Sequence, residues 1–286
     1  MRAAIDVGSN SLLLTVMRGE EVLHDEVRIV GLGKGLGAGG RMEPARRRHG
    51  FQVLSDYVRI ARGYGVAPER IRAAATSGAR RAHDAAELFE ALLEATGLEV
   101  RTISGDEEAR LSWLGGLSGL QLEWPVLLVD MGGGSTELVL GRSPSDIAWR
   151  SSREYGAVRL QERFGADLRG MAEAVDRDLE ALPLACQRVV AVAGTATMFG
   201  ALELGLERWE GDRIHGLILT REQLSRWRDR FHRASPDEAA DLAALAPQRA
   251  PYLAGGAMVL DRVMANAGVA ELTLSNGGLR FGLLQG

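Results

Sequence analysis

Short apolar runs, broken by glycine and by single acidic residues, give this chain its hydrophobic pattern, and they fall into two series. In the first, apolar stretches at 3–7, 12–18, 21–27 and 28–31 read as the strands of a meander that leads into a glycine-rich stretch at 31–40. A helix is predicted from Glu43-Pro44 to about Gly63, since proline suits a first helical turn. A strand at 71–75, a small-residue loop Thr76-Ser77-Gly78, a helix at 79–96, a strand at 99–103 and a helix at 106–116 follow. The second series opens after Trp124-Pro125, with strands at 126–130, 137–140 and 147–153, helices at 158–164 and 171–182, a strand at 188–193 and an apolar helix to about Leu206. Helices at 220–234, 236–245 and 251–268, a strand at 271–275 and a last helix at 277–284 complete it. Strands and helices alternate in both series, which predicts an α/β fold in two lobes.

Two segments within this pattern nearly repeat each other. Ile5-Asp6-Val7-Gly8-Ser9-Asn10-Ser11 and Val129-Asp130-Met131-Gly132-Gly133-Gly134-Ser135-Thr136 each pass from an apolar strand ending in Asp, through a turn of small residues, into a second apolar run. Taken singly, either turn is equally a tight β-hairpin, which favours the same residues. As a pair, with Asp6 and Asp130 separated by 124 positions (130 minus 6), they read as one ancestral unit used twice. Such turns can cradle phosphate: glycine allows close backbone approach, and N–H and Ser/Thr hydroxyl groups donate to anionic oxygens. That makes Gly8, Ser9, Asn10 and Ser11, with Gly132, Gly133, Gly134 and Ser135, the candidate phosphate contacts. The strand-end carboxylates Asp6 and Asp130 are candidate ligands for a divalent ion such as Mg2+ or Mn2+. Two cradles on duplicated halves predict a cleft that grips phosphate from both sides.

Four further positions carry candidate chemistry. Asp106-Glu107-Glu108 begins a helix after Ser104-Gly105, so the acids sit near the positive end of its dipole. Asp106 and Glu107 suit capping, whereas Glu108, one step on, can turn back and take a proton from a water aimed at phosphorus. Arg80 follows the Thr76-Ser77-Gly78-Ala79 turn, where its planar guanidinium could clamp a phosphoryl group, while Arg81 is expected to face solvent. Glu137 stands seven residues after Asp130, where a hairpin would bring the two carboxylates together around an ion, or else leave Glu137 as a surface salt-bridge partner. Gly194-Thr195, after an apolar strand, could contact phosphate or a nucleoside, or be a plain tight turn.

Composition narrows the classes. At 286 residues, 46% hydrophobic and 25% charged, the chain is of ordinary globular make-up and long enough for two medium domains. A net charge of −4 argues against a general nucleic-acid binder. No apolar run approaches the roughly 20 residues that span a bilayer, and the first strand starts close to Met1, so no membrane association and a cytoplasmic location are expected. The single cysteine, Cys186, excludes an internal disulfide and a cysteine-based zinc site, and it reads as a buried small hydrophobe. Gly33-Lys34-Gly35-Leu36-Gly37-Ala38 fits G-x-G-x-x-A, but the helix it should open is delayed to Pro44, against a dinucleotide site. The five histidines form no H-x-x-x-H pair, and no G-x-S-x-G elbow is present. Arg46-Arg47-Arg48 reads as a solvated face, with a polyanion track as the alternative.

With these pieces in place the chain resembles the exopolyphosphatase and guanosine pentaphosphate phosphatase family, part of the actin-like, ribonuclease-H-like superfold that also contains sugar kinases. The matching segments are the two turns above, Ala75-Thr76-Ser77-Gly78-Ala79-Arg80, Ile103-Ser104-Gly105-Asp106-Glu107-Glu108-Ala109-Arg110-Leu111, Gly156-Ala157-Val158-Arg159-Leu160, Ala193-Gly194-Thr195-Ala196-Thr197 and Ser275-Asn276-Gly277-Gly278-Leu279-Arg280. The resemblance implies that Glu108 activates water, that Asp130 and Glu137 are metal-associated, that Arg80 clamps phosphate, and that the turns bind successive phosphates. It implies lobes at 1–122 and 123–277, with the last helix, 278–286, returning to the first. Gly78 stands where a larger residue is usual, Arg81 replaces a glutamate, and Asn276 and Phe281 replace acidic residues. Long members continue into a further helical domain, so an extended polymer channel is expected to be absent or supplied by a homodimer. The expected activity is Mg2+-dependent release of terminal phosphate from polyphosphate, with guanosine pentaphosphate as the alternative substrate. A small-molecule kinase of the same superfold and a non-catalytic alarmone sensor are the alternatives from other classes.

Overall fold

A computed structural model describes residues 1–36, 39–180, 182–183 and 185–285. Gly37 and Ala38, which end the dinucleotide-like run, lie outside the described residues. The chain divides into two compact units: Met1–Gly115 with the C-terminal segment from Leu279, and Gly116–Gly278. Among the described residues no helix is long and apolar enough to cross a membrane.

In the first unit, β1 (Arg2–Val7), β2 (Ser11–Arg18), β3 (Glu21–Ile29), β4 (Ile71–Ala75) and β5 (Val100–Thr102) form a sheet in the order β3-β2-β1-β4-β5. β1, β2 and β3 run as an antiparallel meander, and β4 and β5 add in parallel beside β1. The helices are α1 (Pro44–Gly63), α2 (Ser77–Arg81), α3 (Ala85–Thr96) and α4 (Gly105–Gly116). In the second unit, β6 (Val126–Met131), β7 (Thr136–Ser143), β8 (Asp146–Arg153), β9 (Arg188–Val192), β10 (Ile218–Thr220) and β11 (Glu271–Leu274) order as β10-β11-β9-β6-β7-β8. Its helices are α5 (Ala157–Phe164), α6 (Leu168–Leu179), α7 (Ala193–Glu203), α8 (Gly211–Ile214), α9 (Arg221–Arg233), α10 (Pro236–Leu242) and α11 (Ala250–Ala267). Read outward from β8, the order β8-β7-β6-β9-β11 reproduces β3-β2-β1-β4-β5, with the same parallel and antiparallel pairings. The repeat seen in two short turns is thus a duplication of the whole sheet.

Burial explains the sequence pattern. The central strand β6 is covered on both faces, so Val126 to Val129 are fully buried and read as an unbroken apolar run. The edge strand β8 alternates exposed and half-buried positions instead. One core gathers Ile5, Leu12, Leu14, Leu54 and Tyr57, the other Leu127, Val129, Phe199, Leu253 and Val259. The last helix, α12 (Leu279–Gln285), packs Leu279, Leu283 and Leu284 with Ala4, Ala74, Ile103 and Leu111. Gly282 makes this fit possible, since a Cβ there would lie 2.0 Å from the Leu111 carbonyl oxygen. Arg2 and Arg72 donate to the Leu284 and Leu283 carbonyls, each at 2.7 Å, which satisfies acceptors that a helix end leaves open.

Three expectations need correction. The runs at 21–27 and 28–31 are one strand, β3, pairing with β2 from Ser11↔Ile29 to Arg18↔Glu21. The helix expected at 79–96 is two, α2 and α3, because Ala82 turns to extended backbone and the Asp84 carboxylate accepts the Met42 amide at 3.0 Å. Strand β10 had no periodic signal, being only three residues long, and it pairs antiparallel to β11 at the sheet edge.

Candidate active site

Both turns sit at the carboxyl ends of their strands and close in the same way: Gly8 N–H donates to the Ser11 carbonyl and Gly132 N–H to the Ser135 carbonyl, each at 3.0 Å. What lies behind each turn aims its amides. The Ser9 carbonyl accepts from Gly33 N–H at 2.6 Å, and the Asn10 carbonyl accepts from Val30 and Gly31 N–H at 3.0 and 2.8 Å. In the second unit the Gly132 carbonyl accepts from Ala157 N–H at 2.9 Å, and the Gly133 carbonyl from Val158 and Arg159 at 3.0 and 3.1 Å. A trans peptide points its N–H opposite its C=O. The N–H groups of Asn10 and Ser11 therefore face away from 30–33, and those of Gly133 and Gly134 face away from α5. In the second unit, the backing donors are the first three amides of α5, which a helix start leaves without internal acceptors. The sequence contained Gly156-Ala157-Val158-Arg159 but no signal that this segment seats the turn.

In the first unit the C-terminal ends of β1, β4 and β5 form one edge. Thr76 N–H bonds the Val7 carbonyl at 3.2 Å, and Ile103 N–H bonds the Ala75 carbonyl at 2.9 Å. This edge carries Asp6, the turn 8–11, Arg80 on α2 and Glu108 on α4. Ser104 is the cap of α4: its Oγ accepts Glu107 N–H at 3.1 Å and its carbonyl accepts Glu108 N–H at 2.9 Å. Glu107 instead pairs with Arg101 at 3.2 Å, so its carboxylate is turned to that arginine. Glu108 points inward and is only 7% exposed. Arg80 Nη1 donates to Glu108 Oε2 at 2.7 Å and to the Ile103 carbonyl at 3.0 Å. The expected base and the expected clamp are thus one ion pair. Arg81 is exposed, as expected.

In the second unit Asp130 and Glu137 are directly opposed across β6 and β7, so their side chains share one face of the sheet. Glu137 is 1% exposed and accepts from Ser152 Oγ at 2.7 Å, which removes the surface salt-bridge alternative. The equivalent pair in the first unit is Asp6 opposite Leu13, so the duplication retains one carboxylate there and two here. Gly194 and Thr195 open α7 after Ala193, whose φ of 69° is left-handed and costs an alanine about 1 kcal/mol. A Cβ on Gly194 would lie 2.3 Å from Arg249 Nη1 and Nη2, so glycine is what lets that guanidinium lie against the turn. Burial pulls the Arg249 pKa down to about 10, still protonated at neutral pH. Thr195 packs its methyl toward Gly256. Arg249, on a short turn before α11, had no sequence signal.

The donor set bears on metal identity. Among the described residues no three or more His, Cys, Asp or Glu side chains converge as a metal cage. Two opposed carboxylates are what Mg2+ uses, since it keeps water and substrate phosphate oxygens as its other ligands. The residues therefore fit Mg2+ or Mn2+ held with substrate, and do not fit a zinc cage.

The sequence profile of the Ppx/GppA phosphatase family matches residues 15–286. Exopolyphosphatase 2 of Mycobacterium tuberculosis is 32% identical over 305 residues, covering 96% of this chain and 94% of its own. A bifunctional 3-dehydroquinate synthase/phosphatase of Fusobacterium nucleatum is 24% identical over 311 residues, covering 100% of this chain and 46% of its own. The crystal structure of the Aquifex aeolicus member of the Ppx/GppA family superposes with a TM-score of 0.83 at 29% identity, covering 99% of this chain and 95% of that one. An exopolyphosphatase from Cytophaga hutchinsonii, at 21% identity, shares the fold with a TM-score of 0.86 over 99% of this chain and 96% of its own. Two sheets of one topology, each with a short small-residue turn after its central strand, agree with that likeness, and the chain belongs to the Ppx/GppA phosphatase family.

Proposed function

We propose that this phosphoanhydride hydrolase releases terminal phosphate from inorganic polyphosphate, with Glu108 as general base. The observation that carries the reading is the buried Glu108 carboxylate paired with Arg80 at 2.7 Å on the sheet edge that also bears the turn 8–11. An ionised, desolvated carboxylate can orient a water and accept its proton. Arg80 uses Nη1 to fix that carboxylate, and its other N–H groups are donors for a phosphoryl oxygen. Outward amides of Asn10, Ser11, Gly133 and Gly134, with the Ser9, Ser11 and Ser135 hydroxyls, would bind phosphate oxygens, and Gly194-Thr195 would add a further contact. In the second unit Asp130 and Glu137 would hold Mg2+ or Mn2+, and in the first unit Asp6 is a further candidate carboxylate for such an ion. When bound, the ion supplies neutralisation of charge on the phosphate oxygens.

Polyphosphate is the preferred substrate in this reading, supported by the 32% identity to an exopolyphosphatase over nearly the full length of both chains. The test is phosphate release from polyphosphate and from guanosine pentaphosphate in parallel, with Mg2+ and with EDTA. Metal-dependent release from polyphosphate is expected to exceed that from the nucleotide. Faster release from the nucleotide would reassign the substrate, and transfer of phosphate from ATP to an added acceptor would make the protein a kinase. Binding without turnover of either would make it a sensor.

A further inference from the structure

The glycine-rich segment that resembles a dinucleotide motif contains a residue that presses on the first turn. A Cβ built on Gly33 would lie 2.8 Å from Ser9 Cβ, 3.2 Å from its carbonyl oxygen and 3.3 Å from its Cα. From a separate segment, a Cβ on Gly78 would lie 3.0 Å from both Ser9 Cα and Ser9 Oγ. Neither glycine has a left-handed φ, so the reason for glycine at both positions is space and not backbone freedom. Gly33 also donates its N–H to the Ser9 carbonyl at 2.6 Å.

We infer that Gly33 and Gly78 form a slot that holds Ser9, and that this slot fixes where the amides of the first phosphate turn point. The turn is four residues long and pinned at its ends by Gly8 N–H to the Ser11 carbonyl. A push on Ser9 therefore cannot spread into a long loop and appears at the neighbouring amides of Asn10 and Ser11. Gly78 lies on the same short helix as Arg80, so the slot also ties the turn to the arginine that holds Glu108. Gly33 and Gly78 are positioning residues, acting through Ser9. The inference rests on the phosphate-binding role proposed for residues 8–11.

The test compares Gly33→Ala, Gly78→Ala, the double variant Ser9→Gly with Gly33→Ala, and Gly39→Ala as control. Gly39 belongs to the same glycine-rich stretch, but a Cβ there meets nothing within 4 Å. Two readouts are used: kcat and KM for phosphate release from polyphosphate with Mg2+, and amide hydrogen exchange over residues 8–11, which needs no activity. Gly33→Ala is expected to lose at least about tenfold in kcat/KM and to exchange faster at 8–11, as a displaced binding group does. Ser9→Gly removes the facing Cβ and is expected to slow exchange at 8–11 back toward wild type in the double variant, while kcat/KM stays low because the Ser9 hydroxyl is lost; Gly39→Ala matches wild type in both readouts. Gly78→Ala is expected to act in the same direction with a smaller effect. Wild-type behaviour of Gly33→Ala in both readouts, or a double variant that exchanges at 8–11 as fast as Gly33→Ala, overturns the slot. If Gly33→Ala does not fold, recovery of folding in the double variant supports the slot and failure to recover overturns it. If wild type releases no phosphate from any substrate, the exchange readout still decides the slot, and only the functional reading falls.

Discussion

Glu108 and Arg80 were each legible as single residues, one from an acidic helix start and the other from a small-residue turn. Their pairing was not, because 28 positions separate them and only the adjacency of β4 and β5 brings them together. The pairing changes what substitutions should do. Arg80→Ala withdraws a positive charge from a buried carboxylate, so stability is expected to fall by about 2 kcal/mol in denaturant unfolding, and turnover with it. Arg80→Lys restores charge without the planar fork, and it is expected to recover stability while leaving turnover low. Arg249 marks the limit at this scale, since a guanidinium lying against Gly194 is set by tertiary packing across 55 positions and by nothing in its own neighbourhood.

Strand-turn-strand repeats survive the passage from sequence to structure because their turn residues and apolar flanks are local. What backs each turn is not local, and it differs between the halves: a loop that turns at 31–34 serves the first and the start of α5 serves the second. Gly156 is the tight point of the second arrangement, where a Cβ would lie 2.5 Å from the Gly133 carbonyl carbon and 2.6 Å from the Gly132 oxygen. Gly156→Ala should therefore move α5 off the turn and lower kcat/KM by about tenfold or more, measured alongside a melting curve that shows the fold retained. The same dependence on distant contacts explains the misread elements. The break between α2 and α3 is set by Asp84 accepting from Met42, and β10 exists only because β11 offers it an edge.

At the scale of the whole chain, the duplicated sheet order makes the differences between the halves informative. Asp130 faces Glu137 while Asp6 faces Leu13, so Asp130→Asn and Glu137→Gln are expected to raise the Mg2+ concentration for half-maximal activity by about tenfold or more, and Asp6→Asn by less. The chain passes between its units at 115/116 and 278/279, and within the second unit His215 ties together segments near both crossings. Its ring lies close to the Ser118 backbone, and Nδ1 lies 3.4 Å from the Asn276 amide nitrogen and 3.3 Å from Ser275 Oγ. Asn276 N–H needs a lone pair on Nδ1, so this arrangement holds the neutral ring. Burial lowers the His215 pKa from the ordinary 6.5, against the smaller upward pull of the Ser118 contact and Asp212. The unfolded chain then takes up the proton first. Its contribution to stability is complete above about pH 6.5 and is lost as pH falls through the folded value. The melting temperature of wild type is expected to fall from pH 7.5 to 5.5 by more than that of His215→Gln, and equal falls would remove His215 from the pH response. The central claim is the role of Glu108, and one paired measurement tests it most directly: phosphate release and equilibrium polyphosphate binding by Glu108→Gln beside wild type, both with Mg2+. Release is expected to drop by about 100-fold or more while binding stays within a few-fold of wild type; release that persists at the wild-type rate would contradict the claim.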